Sequence, residues 1–366
     1  MPDTKKVSVV VTGLVRDPEM FSRSLESLRG LAGVGDIILS TWDTEARKNA
    51  SLLAEFQHKH DLKIIAVPEP DKWSGNLLSQ MKSLYAGLNQ VPAETYVLKT
   101  RTDVYIEPDA LRHVFAKDLT LTPAQNFNQV RHPFDEKVCV WGVEATSPFY
   151  IHDLFFFGRH ADISKLVNMD IRYDLLYEMS KEKIHIRRFL HPFLHEFPLF
   201  EKFLHIEHVL GNTDKFPVEY RYAVLEKLLE DDAYVLLMAL YYKVVGTYFT
   251  NDWGGENVFV WRDIPDQIEF QPGMTLTDLL LGNRQYLALM LRGDSLFDAI
   301  NTLSFGICPV GERFAAALRQ LDELDDLRDA GKHLDLSDFI SRAVSYGEQA
   351  LALVRDTCGS EPSERD

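Results

Sequence analysis

The chain has 366 residues, of which 46% are hydrophobic, 26% charged and 11% aromatic. That balance belongs to a folded globular protein and excludes disordered, collagenous and coiled-coil chains. A formal net charge of −16 argues against whole-molecule attraction to nucleic acid or to an anionic membrane surface.

In chain order, the β-branched run Val7–Thr12 ends at Gly13 and reads as a buried strand. Residues 19–31 carry Phe21, Leu25, Leu28 and Leu31 at helical spacing behind an Asp17-Pro18 start signal. A second strand is predicted over 36–40, a second helix over 44–59 and a third strand over 63–67, closed by Pro68 and Pro70. A third helix over 77–88 and a fourth strand over 96–99 complete a βαβαβαβ order. Such an order implies a mainly parallel sheet with right-handed crossovers, which binds ligands at the carboxyl ends of its strands.

Beyond Asp103 the periodicity weakens. A short helix is expected over Pro108–Ala116, a long polar connection over 120–138, a strand over 149–158 and a helix start over 162–167. Residues 184–208 are rich in His, Phe and Leu, and 232–245 form a strong helix behind acidic residues. From about 275 the pattern is mostly helical and runs into a polar tail expected to be disordered. The longest apolar stretch, 233–242, is too short to span a bilayer, and the apolar run at 7–12 stops at Thr12-Gly13 without a cleavage site. Cys139, Cys308 and Cys358 are far apart, odd in number and in no metal-binding spacing, which suits free thiols. The expectation is a soluble, cytoplasmic protein.

Candidate chemistry concentrates at the strand ends. Lys99, Arg101 and Asp103 lie within five residues and alternate onto one face. A carboxylate there can hold a divalent metal bridging two phosphates while the cations neutralise the remainder, or the three form a surface salt-bridge ladder. Gly13 lets a ligand approach the backbone and Arg16 can reach a phosphate or base, although the same residues also suit a plain strand-to-helix turn. Thr41 and Trp42 follow the second strand, where Trp42 suits a base or sugar ring, or caps the core. Neither G-x-G-x-x-G nor G-x-x-x-x-G-K-[ST] is present, which disfavours a dinucleotide fold or P-loop enzyme.

Together these pieces resemble a family. Ser24-Leu25-Glu26-Ser27-Leu28-Arg29 followed by Ile37-Ile38-Leu39-Ser40-Thr41-Trp42 is similar to the opening of the WavE family of lipopolysaccharide-synthesis proteins. Asn76, Gln80, Ser83, Gly87 and Leu88 are similar to its next helix, Lys99-x-Arg101-x-Asp103 to its K-x-R-[ST]-D strand end, and Leu154 to Gly158 to a later strand. Order and spacing agree over about residues 7–165. The resemblance implies a glycosyltransferase of GT-A type, with a Rossmann-like, mainly parallel sheet that binds a nucleotide-sugar donor. It implies a donor site of Gly13, Arg16, Thr41, Trp42, Gln80, Lys99, Arg101 and Asp103. It also implies Asp103 as ligand to Mg²⁺ or Mn²⁺, and a lipopolysaccharide or capsule-type glycan, free or lipid-linked, as acceptor. Peripheral contact with the inner face of the cytoplasmic membrane would accompany a lipid-linked acceptor. The Asp-x-Asp metal motif common among GT-A enzymes is not met, because Tyr105 stands at the second position.

Glu230-Asp231-Asp232 opens the strong helix. Carboxylates at a helix start are ordinary caps. In inverting GT-A enzymes, by resemblance, such a pair supplies the base that takes the acceptor's proton, here Asp232 with Asp231 second. The 184–208 segment, with His191 and His195 beside Glu196, is readable as half a zinc site, an aromatic acceptor lip, a membrane-contacting surface or a helix packed on the core. The domain reading is a GT-A-like domain over 1–265, with donor half 1–110 and acceptor half 111–265. A helical region over 266–358 and a tail over 359–366 follow it. Rival functions on the same sheet are a nucleotidyl or phosphosugar transferase and a non-catalytic glycan- or nucleotide-binding relative.

Overall fold

A computed structural model describes residues 5–69, 76–141, 148–149, 151, 153–169, 188–204, 220, 224, 227–228, 230–254, 258–261, 264–265, 310–333 and 338–358. The β-branched opening forms strand β1 (Val7–Thr12), buried along its whole length. Successive side chains leave a strand on opposite faces, so Val7, Val9 and Val11 enter one core and Val10 another. Helix α1 (Pro18–Arg29) starts where Asp17 accepts the Met20 N–H at 2.9 Å and Pro18 fixes the first turn.

Strand β2 (Val34–Trp42) pairs parallel to β1, and β3 (Leu62–Val67) parallel to β2. Between them lie α2 (Asp43–Lys48) and α3 (Ala50–His60) rather than one continuous helix. The break falls at Asn49, whose side-chain amide donates back to the Glu45 carboxylate at 2.8 Å and carbonyl at 3.3 Å. Such local bonds compete with helix continuation. Helix α4 (Asn76–Leu88) covers the Val10 face through Leu84 and Leu88, whereas Phe21, Leu25, Leu53 and Phe56 of α1 and α3 cover the other.

Strand β4 (Tyr96–Arg101) returns to the far side of β1, parallel to it. The chain then turns into β5 (Val104–Ile106) and helix α5 (Pro108–Ala116). Strands β6 (Val138–Val140) and β7 (Phe156–Arg159) extend the main sheet, with β7 antiparallel to both β4 and β6. Only the last part of the strand expected over 149–158 is regular. Ahead of it, the carbonyls of Asp153 and Leu154 accept from the Lys99 ammonium. Helix α6 (His160–Ser164) follows, and its fully buried Asp162 accepts the N–H groups of Asp135 and Glu136 at 2.9 and 3.0 Å. That contact ties down the polar connection expected over 120–138, whose Phe127, Val130 and Phe134 are core residues.

Phe189, Phe193, Phe197, Phe200 and Phe203 are all buried in the same core as α7 (Asp232–Tyr248), where the Phe193 ring lies 5.3 Å from that of Tyr248. Pro192 and Pro198 sit inside one-turn 3₁₀ helices there and break any longer helix. An aromatic lip for an acceptor is therefore not what these phenylalanines build. Strand β8 (Phe249–Thr250) pairs parallel to β6, giving the order β3-β2-β1-β4-β7-β6-β8. Strands β9 (Phe259–Trp261) and β10 (Ile264–Pro265) add to β5 in a small antiparallel sheet.

Helices α8 (Val310–Asp322) and α9 (Phe339–Cys358) close the α7 side. Phe314, Leu321, Phe339 and Ala343 join its core, and Lys243 pairs with Asp322. The α/β class, the mainly parallel sheet and the helical C-terminal addition are those expected from the sequence. Residues 266–309, the tail 359–366, Pro70, Cys308 and the outer parts of the 184–208 segment lie outside the described residues. Cys139 is a buried free thiol. Among the described residues no helix is long and apolar enough to cross a membrane.

Candidate functional site

The strand order makes β1 the turning point of the parallel region, since β2 and β3 lie on one side of it and β4 on the other. At such a switch the connections leave in opposite directions and open a crevice beyond the carboxyl ends of the strands. A cavity of about 390 Å³ lies at this edge. Gly13, Arg16, Thr41, Trp42, Gln80, Lys99, Arg101 and Asp103 all line it, together with Thr12, Leu14, Ser79, Ser83, Thr102 and Asp153. The eight residues expected at a donor site are thus brought to one cavity, from the ends of β1, β2 and β4 and from α4.

Local bonds hold its floor. Gly13 adopts φ +122°, a conformation open to glycine and strained for other residues. The Thr102 hydroxyl donates to the Leu14 carbonyl at 2.6 Å, and the Thr102 N–H to the Thr12 carbonyl at 3.2 Å. Ser83 on α4 donates to the Ser40 carbonyl at 2.9 Å, fixing the helix against the end of β2. Thr41 is 98% buried, and its hydroxyl has no hydrogen-bond partner among the described residues. Buried polar groups normally have one, so this hydroxyl at the wall is a candidate ligand contact.

The charges are arranged in two layers. Nearer the mouth, Arg101 grips Asp103 with two parallel bonds, Nε to Oδ1 at 2.8 Å and Nη2 to Oδ2 at 3.0 Å. The Trp261 indole N–H adds a third bond to Oδ2 at 3.2 Å. Trp261 reaches Asp103 because Val104 of β5 pairs with it in the small sheet. Deeper in, the Lys99 ammonium is fully buried beside the Asp153 and Leu154 carbonyls and over the Phe156 ring. Burial pulls its pKa down to about 7, against the opposing pull of Asp153. Arg188, 1% exposed, stands behind this layer, with Nη2 on Gln80 at 3.0 Å and Nη1 3.8 Å from Asp153. Among the described residues its Nε and Nη1 have no hydrogen-bond partner.

A metal held on Asp103 has to compete with this arrangement. Both carboxylate oxygens are already engaged by cationic or N–H donors. The neighbouring Tyr105 faces Arg23, whose guanidinium lies 3.8 Å from its ring centroid. Among the described residues, no three His, Cys, Asp or Glu side chains gather closely enough to hold a metal ion, the His191–His195 pair included. The donor set does not fit a resident Mg²⁺ or Mn²⁺.

Asp231 and Asp232 are not brought to this cavity. They line a different one, with Arg313, Arg342 and Tyr346, that shares no residue with it. Asp231 caps α7 by accepting the Ala233 N–H at 3.0 Å, and also accepts from Arg342 at 2.7 Å and the Tyr346 hydroxyl at 3.1 Å. Burial raises its pKa, but these three donors outweigh it and hold the carboxyl below the ordinary aspartate range. Asp232 is 92% exposed and paired with Arg313. The acidic helix start therefore serves as cap and as anchor for α8 and α9.

Sequence reasoning missed Asp153 and Trp261, and placed Arg188 with the 184–208 segment rather than with the donor site. Asp153 carried a usable signal, an acid immediately ahead of an apolar strand. The other two reach the site from 85 or more residues beyond β4, through the irregular half of the chain.

No protein-family model matches the chain, and no curated protein matches it. Among solved structures, it is similar to the apo form of the glycosyltransferase GlyE from Streptococcus pneumoniae TIGR4, at 16% identity and TM-score 0.29. That match covers 49% of this chain and 40% of the other, so the chain spans less than half of GlyE's length. The galactosyltransferase LgtC in complex with donor and acceptor sugar analogs is similar at 11% identity and TM-score 0.31, covering 50% and 69%. A 4-diphosphocytidyl-2C-methyl-D-erythritol synthase from Anaerococcus prevotii is similar at 13% identity and TM-score 0.28, covering 48% and 85%.

Proposed function

We propose that the chain is a glycosyltransferase of GT-A type, which takes a sugar from a nucleotide-sugar donor bound in the cavity at the β1–β4 edge. The observation that carries this reading is the composition of that one cavity. Arg16, Lys99 and Arg101 converge with a tryptophan, an unpartnered threonine hydroxyl and a backbone-exposing glycine at the sheet's ligand-binding edge. A ligand that uses all of them has an anionic centre, a flat ring and hydroxyl groups. On this reading the cations neutralise the diphosphate and the charge that develops on it as the glycosidic bond breaks, the fixed electrostatic support that speeds such steps most. Trp42 and Thr41 hold the ring end. Asp103, held in place by Arg101 and Trp261, stands on the donor-sugar side and positions that sugar. A lipopolysaccharide or capsule-type acceptor, and peripheral contact with a membrane that carries it, belong to the proposal on the strength of the sequence resemblance.

The test is to incubate the protein with a panel of UDP-, GDP- and CMP-sugars and follow the free nucleotide. Release of nucleoside diphosphate or CMP, lost in Asp103→Asn, supports sugar transfer. Pyrophosphate formed from a nucleoside triphosphate and a sugar phosphate would instead make it a nucleotidyltransferase. With neither product, a binding protein is left.

A further inference from the structure

We infer that this site neutralises its donor's diphosphate with its own Arg16, Lys99 and Arg101 and needs no divalent cation on Asp103. The inference rests on the nucleotide-sugar reading and deepens it. A carboxylate that anchors a bridging metal must present a lone pair to it unopposed by a cation. Asp103 does the reverse: a guanidinium fork closes on both of its oxygens, and the Trp261 indole covers one of them. Fork-to-carboxylate pairing is among the strongest hydrogen-bonded arrangements in proteins, and this pair is mostly buried. The second carboxylate of the cavity, Asp153, faces a cation in turn, the Arg188 guanidinium 3.8 Å away.

Charge accounting points the same way. Among the described residues, Arg16, Lys99, Arg101 and Arg188 stand in or directly behind the cavity against Asp103 and Asp153, a surplus of two positive charges with Lys99 protonated. The diphosphate of a nucleotide sugar is doubly negative, so the protein alone balances it. Arg101 spends two of its five N–H donors on Asp103, which among the described residues leaves three for an anion. Arg16 is exposed at the rim, able to fold onto a ligand. Lys99 lies at the bottom, where a bound anion favours its charged form against the desolvation that opposes it. In this arrangement Asp103 orients Arg101 and the donor sugar.

Calorimetric titration of UDP, GDP and CDP into the full chain tests the inference, once in EDTA and once in excess Mn²⁺ or Mg²⁺. At least one nucleotide is expected to bind in EDTA, with affinity changed by less than about threefold on adding metal. Arg16→Ala and Arg101→Met are each expected to weaken that EDTA-resistant binding by about tenfold or more. Arg16 is exposed, so its variant keeps the test open should Arg101→Met fail to fold. A metal-induced gain above about threefold overturns the inference while leaving the nucleotide-sugar reading standing. Unchanged affinity in a folded Arg16→Ala protein overturns it too. Absence of binding under both conditions overturns the reading and the inference together.

Discussion

Replacing Asp231 distinguishes an anchor from a catalytic base. Its carboxylate is 5% exposed and serves the N-terminus of α7, the Arg342 guanidinium and the Tyr346 hydroxyl at once. Losing an N-cap costs about 1 kcal/mol. Breaking a fully buried pair costs about 3–5 kcal/mol, but Arg342 is 37% exposed and water can solvate it once abandoned, so about 1–2 kcal/mol is the fitting figure here. Asp231→Ala is therefore expected to lose about 2–3 kcal/mol, a Tm drop of about 3–4 °C for a chain of this length. Asn still caps, so Asp231→Asn is expected to lose only the ionic part, about 1–2 kcal/mol. The loss also has a pH signature. Because the folded-state pKa is lowered, the contribution is complete above the unfolded aspartate value and disappears as pH falls through the lower one. The wild-type advantage over Asp231→Asn should thus be level near neutrality and vanish in acid. The assay is thermal unfolding against pH, run beside nucleotide release and nucleotide affinity. If Asp231→Asn keeps the wild-type Tm but turns over about a thousandfold more slowly with binding intact, the anchoring argument is wrong and the carboxylate is chemical.

Three further outcomes follow from single contacts. Gly87→Ala should destabilise by about 1–3 kcal/mol, because a Cβ there would sit 2.4 Å from Val10 Cγ1 where α4 meets β1; urea unfolding measures it. Gly13→Ala should weaken nucleotide binding and cost about 1–3 kcal/mol, since φ +122° is strained for alanine and its Cβ would lie 3.1 Å from the Thr102 hydroxyl; a variant with wild-type affinity and stability would contradict this. With its pKa drawn down to about 7, Lys99 loses its charge in the folded state as pH rises past neutrality while the unfolded chain keeps it. Stability should therefore rise with pH above 7 and nucleotide affinity should fall, by up to about tenfold per pH unit, with both slopes absent in Lys99→Met.

How far the sequence could be read depends on how locally each feature is determined. The strands over 7–12, 63–67 and 96–99 were legible because each is a β-branched or apolar run bounded by Gly, Pro or charge, and a buried strand needs little else. Once the βαβ order was clear, topology placed the ends of the strands together, and with them Gly13, Thr41, Trp42, Lys99, Arg101 and Asp103. Their gathering at one cavity follows from alternation and handedness and needs no knowledge of side-chain contacts. The single helix expected over 44–59 failed for a reason also local but finer than periodicity, the Asn49 side chain turning back on Glu45.

The acidic helix start failed for a different reason. A carboxylate before an apolar helix satisfies the cap and the catalytic reading equally, and the sequence around 231 cannot choose between them. What decides is Arg342 and Tyr346, 111 and 115 residues away on α9. Long-range partners also separate the two readings of Lys99-x-Arg101-x-Asp103, a metal site or a ladder of ion pairs. The motif is the same either way; the Trp261 N–H and the Arg101 fork on Asp103 turn the carboxylate toward protein donors, while Arg101 lines the cavity with Arg16 and Lys99. On the proposed reading, a ladder at a strand end becomes an anion site when its carboxylate is buried and its cations outnumber it.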